Sequence, residues 1–385
     1  MRNFFSACLI IFAFGAARPV VAEGTFRQPE QKSLLDEILA APIVVIGKFQ
    51  NAKAPKDASE KGSSELVIEE ILVPHELMKA RKSLMIDRYI AQKDKYVVLF
   101  NLLMGKLEPG YGRPLDEKGE TLKFIRGALD LKDKSKTARL RFVADWLASS
   151  SELVVESAVK ELSRASYADL RKAAETLKPE PIVTALQDPK TNEMCLAAYA
   201  RMLGHCGRKE HAAALKKVID TWPVHRGGEI LYNAVLSYVQ LDPDAGWDFV
   251  VKQSESKETK FLQRYAAFRA IRTLADAKVE FIEPKKCMEG IAGFLRAPDM
   301  ADLAIRELRL RKQWGYCEAI LSLHGKKGFD SSIVSVNILR YALRCPDPAA
   351  KQFVMVQRTR DPDWVADVEE SLLLLETEEA ETSKN

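Results

Sequence analysis

The chain has 385 residues, of which 58 are Lys or Arg and 54 are Asp or Glu, so its formal charge is +4 at neutral pH. Nucleic-acid-binding proteins usually carry a strongly basic face, and a charge so near balance therefore predicts no nucleic-acid partner. The length exceeds what one hydrophobic core usually supports, which predicts two domains or a repeat array.

Residues 1–22 predict a signal peptide. Arg2 precedes an apolar run from Phe4 to Phe14, and small residues then lead to Ala22. This run is too short to span a bilayer, and no later stretch approaches the roughly 20 apolar residues that a membrane helix needs. We therefore expect an exported protein, periplasmic or extracellular, without a transmembrane segment.

The cysteines argue against a disulfide framework. Five lie after residue 22, widely spaced over the second half of the chain: Cys195, Cys206, Cys287, Cys317 and Cys345. Secreted folds that depend on disulfides use closely spaced, even sets of cysteines. We expect stability to come from packing and the thiols to be reduced, with Cys287 and Cys317 as the best-placed pair if any bridge forms.

Residues 23–118 predict a small β domain that begins with a short amphipathic helix, SLLDEILAAP from Ser33. Four runs rich in Val and Ile follow, at 43–49, 65–73, 83–89 and 95–103. The stretch GKLEPGYGRP then predicts a turn or loop, because it is rich in Gly and Pro. Four or five strands of this size fit a small barrel or sandwich.

Residues 119–376 predict an all-α repeat domain, because the hydrophobic period there is that of helices. Six helices align on one inward position, at spacings of 40, 36, 33, 37 and 34 residues: Ala158, Ala198, Ala234, Ala267, Ala304 and Ile338. A second helix falls between each successive pair. Two helices per unit at such a period are typical of an α-solenoid. Residues 377–385 predict an acidic disordered tail.

Both halves resemble known families. The strand IVVIGK, a charged loop and the strand ELVIEEIL resemble the OB-like netrin modules of some secreted proteins, although residues 23–130 lack the cysteines usual in those modules. The helical part, about 150–375, resembles the HEAT-repeat family, and EMCLAAYARMLGHCG at 193–207 is similar to its helix and turn. The whole chain resembles exported bacterial proteins that place a β module before HEAT-like repeats. This resemblance implies a fold but no particular activity.

The helix predicted around residue 200 carries the densest group of possible metal ligands. Cys195 and Cys206 would lie about 16 Å apart along its axis, which is too far to share a metal or a disulfide. His205, Cys206 and His211 have metal-like spacing, but a structural zinc site needs a fourth ligand, such as His225. We predict that Cys195 is a core residue and that the histidines mark helix ends.

Other motifs of chemistry do not occur. The sequence contains no nucleophile elbow and no Gly-rich phosphate loop. Glu69 and Glu70 are neighbours on a predicted strand, so they should point to opposite faces. The basic run at 306–312 predicts a solvated helix face or, as an alternative, a docking patch. We therefore predict no catalytic, cofactor-binding or metal-binding residues, and no cofactor.

These patterns predict an exported, non-enzymatic binding or scaffold protein whose helical repeat surface binds a protein or peptide partner. One alternative is a hydrolase or metal-dependent enzyme with its site between the two halves. Another is a ligand-binding or inhibitor β module that the helices support. Because repeats pack mainly on their neighbours, a fragment that starts at residue 117 is expected to fold without the β half.

Overall fold

A computed structural model describes residues 32–55, 62–91, 94–223, 228–256 and 258–382. The predicted signal peptide lies outside these residues. The strands are β1 Ile43–Lys53, β2 Ser63–Val73, β3 Ser83–Ile86, β4 Lys95–Leu103 and β5 Lys106–Pro114. The helices are α1 Leu34–Ala40, α2 Glu120–Leu129, α3 Lys136–Ala144, α4 Glu152–Arg164, α5 Tyr167–Ala174, α6 Pro179–Gln187, α7 Glu193–Cys206, α8 Ala212–Thr221, α9 Gly228–Leu241, α10 Pro243–Glu255, α11 Phe261–Ala277, α12 Pro284–Gly293, α13 Ala301–Leu310, α14 Cys317–Leu321, α15 Ser332–Ala342, α16 Pro348–Arg360 and α17 Pro362–Thr382.

The short helix α1 is confirmed, and it is tied to a helix far along the chain. Ser33 and Asp36 form a capping box at its start. The Ser33 hydroxyl also donates to the Glu161 carboxylate of α4 at 2.5 Å, and the amide of Leu35 donates to the Ser157 hydroxyl at 3.1 Å. α1 is therefore part of the helical packing as well as the entry to the sheet.

The five strands form one antiparallel sheet in the order β3-β2-β1-β4-β5, which curls into a half-barrel. The four predicted strands are confirmed. β5 corrects the loop expected at GKLEPGYGRP, since these residues pair with β4 from Leu103↔Lys106 to Tyr96↔Pro114. An edge strand tolerates Pro109 and Pro114, because one of its sides needs no amide donor.

The sheet packs on both of its faces. Inside the curl, Val45, Val98 and Phe100 belong to a core made by the strands themselves. On the opposite face, Val44 and Val97 join the large core that runs through the helices. The helical part therefore shares its core with the sheet.

Of the helices that carry the six aligned residues, α4 packs on α7, α7 on α9, α9 on α11 and α13 on α15, and α15 also packs on α17. All six residues aligned in the sequence are buried. Ion pairs join helices of successive units, such as Arg269 to Glu229 at 2.5 Å and Arg272 to Glu307 at 3.4 Å. These pairs join residues 40 and 35 positions apart in the sequence.

The last helix is longer than expected. α17 continues to Thr382, so residues 377–382 are helical where a disordered tail was predicted, and 383–385 lie outside the described residues. Val365, Val368 and Leu372 bury one face of α17. None of the described helices is both long and apolar enough to cross a bilayer.

Candidate functional site

The cysteines and histidines of α7 do not converge. Cys195 is completely buried, and its thiol donates to the carbonyl of Leu147 at 3.3 Å. Burial raises the pKa of the Cys195 and Cys206 thiols to about 11, so neither forms a thiolate nucleophile at neutral pH. Cys195 is the core residue that the sequence predicted.

His205 belongs to a polar network between α5, α7 and α9. Its ring packs edge-on against Tyr167 at 4.7 Å between centroids, and its Nδ1 lies 3.4 Å from the Gln240 amide nitrogen. Gln240 also donates to the Tyr167 hydroxyl at 2.8 Å. Burial, aided by the positive charges of Arg201 and Arg171, lowers the pKa of His205 to about 4. The imidazole is therefore neutral at physiological pH.

The remaining candidate ligands serve helix ends or lie elsewhere. His211 Nδ1 accepts from the amide of Arg208 at 2.9 Å, at the start of the helical segment that leads into α8. His225 lies outside the described residues. Within the described ranges, no three His, Cys, Asp or Glu side chains come close enough to hold a metal ion.

The remaining cysteines are free thiols, and one pair of them is in contact. Cys317 and Cys345 are both buried, and burial together with the neighbouring Cys345 thiol raises the pKa of the Cys317 thiol. The thiol that acts on Cys317 is thus that of Cys345, and not that of Cys287, with which the sequence paired it.

The adjacent acids Glu69 and Glu70 point apart, as the strand geometry predicts. Glu69 pairs with Lys95 at 2.7 Å and with Lys48 at 3.4 Å, while Glu70 pairs with Arg126 of α2 at 2.9 Å. They therefore do not form a pair of catalytic carboxylates.

The basic run at 306–312 is partly internal. Arg309 is 5% exposed and pairs with Glu376 of α17 at 3.6 Å. Arg311 pairs with Asp276 of α11 at 2.7 Å and with Glu307 at 3.2 Å. Arg309 and Arg311 thus link helices, whereas Arg306 and Lys312 are exposed, so the solvated face that the sequence favoured describes only part of the run.

A large cavity lies where the half-barrel stays open. In the described part of the sheet, β3 pairs with β2 alone and β5 with β4 alone, so each has one unpaired edge. The curl of the sheet brings both edges to a single cavity of about 870 Å³. We call this cavity the seam. Its lining residues are Leu77, Arg81, Leu84, Met85, Ile86, Asp87, Arg88, Phe100, Gly105, Lys106, Leu107, Glu108 and Pro109.

The seam has an apolar floor and a charged rim. Leu84, Ile86 and Phe100 are buried and face the core inside the curl. Arg81 and Lys106 are among the exposed cations at the rim, one on each side of the opening. The carboxylates of Asp87 and Glu108 also line the rim, so the seam suits an elongated ligand that has apolar side chains for the floor and polar groups at its flanks.

An unusual turn stands next to the seam. Leu103 pairs with Lys106, which leaves Met104 and Gly105 as a two-residue hairpin turn with φ of 49° and 77°. Turns with two positive φ values favour Asn-Gly, because Asn tolerates the left-handed conformation better than Met. Met104 is nevertheless 95% exposed, and Leu103 is 60% exposed. Two large apolar side chains thus stand in water where the fold would favour polar ones.

The sequence patterns did not predict the seam, although the sequence contains one signal of it. The letters NLLMGK place three apolar residues directly before a hairpin glycine, where polar turn residues are usual. The unpaired edges themselves could not be read from the sequence, because they depend on the order of the strands in the sheet.

Comparison with known proteins finds no matching family model, no similar curated protein and no matching solved structure. The function must therefore be inferred from the residues of this chain.

Proposed function

We propose that the chain is an exported, non-enzymatic binding protein, and that the seam takes an extended segment of a protein partner as an added strand. The helices, which we propose to be an α-solenoid of HEAT-like repeats, would support the half-barrel. The observation that carries this proposal is the pair of unpaired strand edges that line one cavity with an apolar floor.

An extended peptide uses such a site in a way that other ligands do not. Its backbone can hydrogen-bond to an open strand edge, and alternate side chains then enter the cavity. The floor at Leu84 and Phe100 would receive apolar side chains, and the exposed Leu103 and Met104 would cover them from the side. Anchors of this kind give most of the affinity in peptide recognition.

We propose a non-enzymatic protein because the side chains most suited to catalysis are buried or paired. The buried thiols of α7 have raised pKa values, and the His205 imidazole lies in a packed network. In the described residues, Glu69 and Glu70 each pair with cations on different elements. None of these groups is placed to act on a substrate in the seam.

The proposal can be tested with a display library of short random peptides that is selected for binding to the whole chain. Selected peptides should alternate apolar and polar residues, and their binding should protect backbone amides of β3 and β5 from hydrogen exchange. Met104→Asn should weaken binding about tenfold, since it removes one apolar contact, without a loss of stability. Met194→Gln, at a methionine that is 41% exposed on α7, is the matched control.

Binding on the helical surface is the second candidate, and one cluster favours it. Phe261 is 45% exposed and stacks on Tyr265 with 5.7 Å between centroids. The Arg269 guanidinium lies 4.0 Å from the ring centroid of Tyr232. Aromatic and arginine side chains are typical of binding hot spots. Peptides whose binding is lost in Phe261→Ala but kept in Met104→Asn would overturn the seam in favour of this surface.

A further inference from the structure

The two terminal helices expose large apolar side chains on their outer faces. Met355 and Val356 on α16 are 56% and 50% exposed, and Leu373 and Leu374 on α17 are 59% and 64% exposed. The terminal unit of a helical array usually has a polar outer face, because no further unit covers it. Clustered exposed apolar side chains are instead typical of an interaction surface.

The two helices also carry opposite charges. α16 contains three basic residues and no acidic one, whereas α17 contains eight acidic residues and no basic one. They are consecutive in the chain and pack against each other. One end of the molecule thus presents a basic helix beside an acidic helix.

The exposed residues of each helix follow the helical repeat. On α16, Lys351, Met355 and Arg358 are all exposed and are spaced by four and three residues, so they share a face. On α17, Glu370 and Leu374 are exposed and spaced by four. Each face therefore combines a charge with an apolar side chain, and the two charges are opposite.

A recess lies beside the apolar residues of α16. Its volume is about 690 Å³, and Leu343, Val354, Met355 and Pro362 contribute apolar walls to it. Lys351, Arg358 and Glu369 also line it, and Arg358 pairs with Glu369 within the same chain. The recess can therefore take a leucine side chain that arrives with an acidic residue directed at Lys351.

We propose that a second copy of this chain covers this end of the molecule in a two-fold dimer. A two-fold axis places the same patch of each copy against the other, so a patch must complement itself. Here α16 of one copy would receive α17 of the other, with Leu374 at the recess beside Met355 and Glu370 near Lys351. The same contact is made twice. A partner of a single charge would match only one of the two helices, and this favours a second copy over other occupants.

The proposed dimer can be tested by size-exclusion chromatography coupled to light scattering. This measures the molecular mass of the full chain at several concentrations. The wild type should have the mass of two chains. Leu374→Glu should raise the dimer dissociation constant about 100-fold or more, because an apolar contact is lost at two symmetric positions and a like charge is added beside the acids. Phe281→Glu, at a side chain that is 41% exposed between α11 and α12, is the matched control and should remain dimeric.

A charge exchange provides a second measurement that does not depend on apolar contacts. Lys351→Glu and Glu370→Lys should each weaken the dimer, and the double variant should recover it, because the pair is restored with its signs reversed. Circular dichroism of each variant should match the wild type. A monomeric wild type would overturn the proposal, and so would a Leu374→Glu protein that dimerises as tightly as the wild type or a double variant without recovery.

Discussion

Gly204 of α7 lies so close to α9 that a Cβ placed on it would be 2.4 Å from the Ser237 Oγ. The Gln240 Oε1 would be 2.6 Å away. The contact between these two helices therefore depends on the missing side chain at Gly204, beside the network that holds His205.

Gly204→Ala should destabilise the protein by about 1–3 kcal/mol, since an added methyl group must push the two helices apart. Gly315→Ala is the control, because a Cβ there has no heavy atom within 4 Å. Urea unfolding gives both free energies. Equal stability of the two variants would contradict the close packing of α7 on α9.

The neutral His205 predicts a dependence of stability on pH. Its pKa is about 4 in the folded protein, whereas an unfolded histidine has a pKa near 6.5. As the pH falls below about 6.5, the unfolded chain binds the proton first. The contribution of the neutral His205 to the free energy of unfolding is therefore fully present above about pH 6.5 and is lost progressively between about pH 6.5 and about pH 4. This amounts to about 2 kcal/mol by pH 5. In His205→Gln, the loss of stability between pH 7.5 and pH 5 should be smaller by roughly that amount. Identical pH profiles of the two proteins would argue against a buried neutral imidazole.

Among the ion pairs between helices, substitution of Glu307 should cause the largest loss of stability. Its side chain is 8% exposed and meets Arg272 at 3.4 Å and Arg311 at 3.2 Å. Glu307→Ala leaves both guanidinium groups without this carboxylate and should cost about 3 kcal/mol of unfolding free energy. Glu289→Ala removes an exposed pair with Lys285 at 3.9 Å and should cost less than about 1 kcal/mol. Denaturant midpoints compare the two, and a smaller loss for Glu307 than for Glu289 would disprove the linking role.

The shared core predicts that the helical part does not fold well by itself. A fragment that starts at residue 117 lacks α1, which packs on α2 and α4, and lacks the sheet face at Val44 and Val97. We expect this fragment to bind a hydrophobic dye and to lose cooperative unfolding. Cooperative unfolding at the midpoint of the whole chain would show instead that the helices are independent of the sheet.

Local patterns were sufficient to predict much of this fold. α1 has its capping residues within four positions of one another, and β1 to β4 are continuous runs of strand-forming residues. The inward positions at Ala158 and Ala234 follow from the helical period alone. In each case the signal and the structure lie within the same few residues.

The features that were missed depend on contacts far apart in sequence. β5 contains two prolines and two glycines, and it is a strand because β4 offers it an edge. Arg309 and Arg311 look solvated on their own helix, and only the neighbouring α17 and α11 supply their partners. The seam likewise exists because β3 and β5, which are not adjacent in the chain, end at the two sides of one opening.

The bond between Ser33 and Glu161 has a consequence for the order of events during synthesis. The two residues are 128 positions apart. At the usual rate of translation, α4 follows α1 from the ribosome after roughly 6–26 s. The strands can pair within that time, and α1, α2 and α3 precede α4 in the chain, but the part of the shared core that α4 supplies is not yet present. The core shared by the sheet and the helices therefore stays incomplete until α4 has emerged, and the bond from Ser33 to Glu161 can form only then.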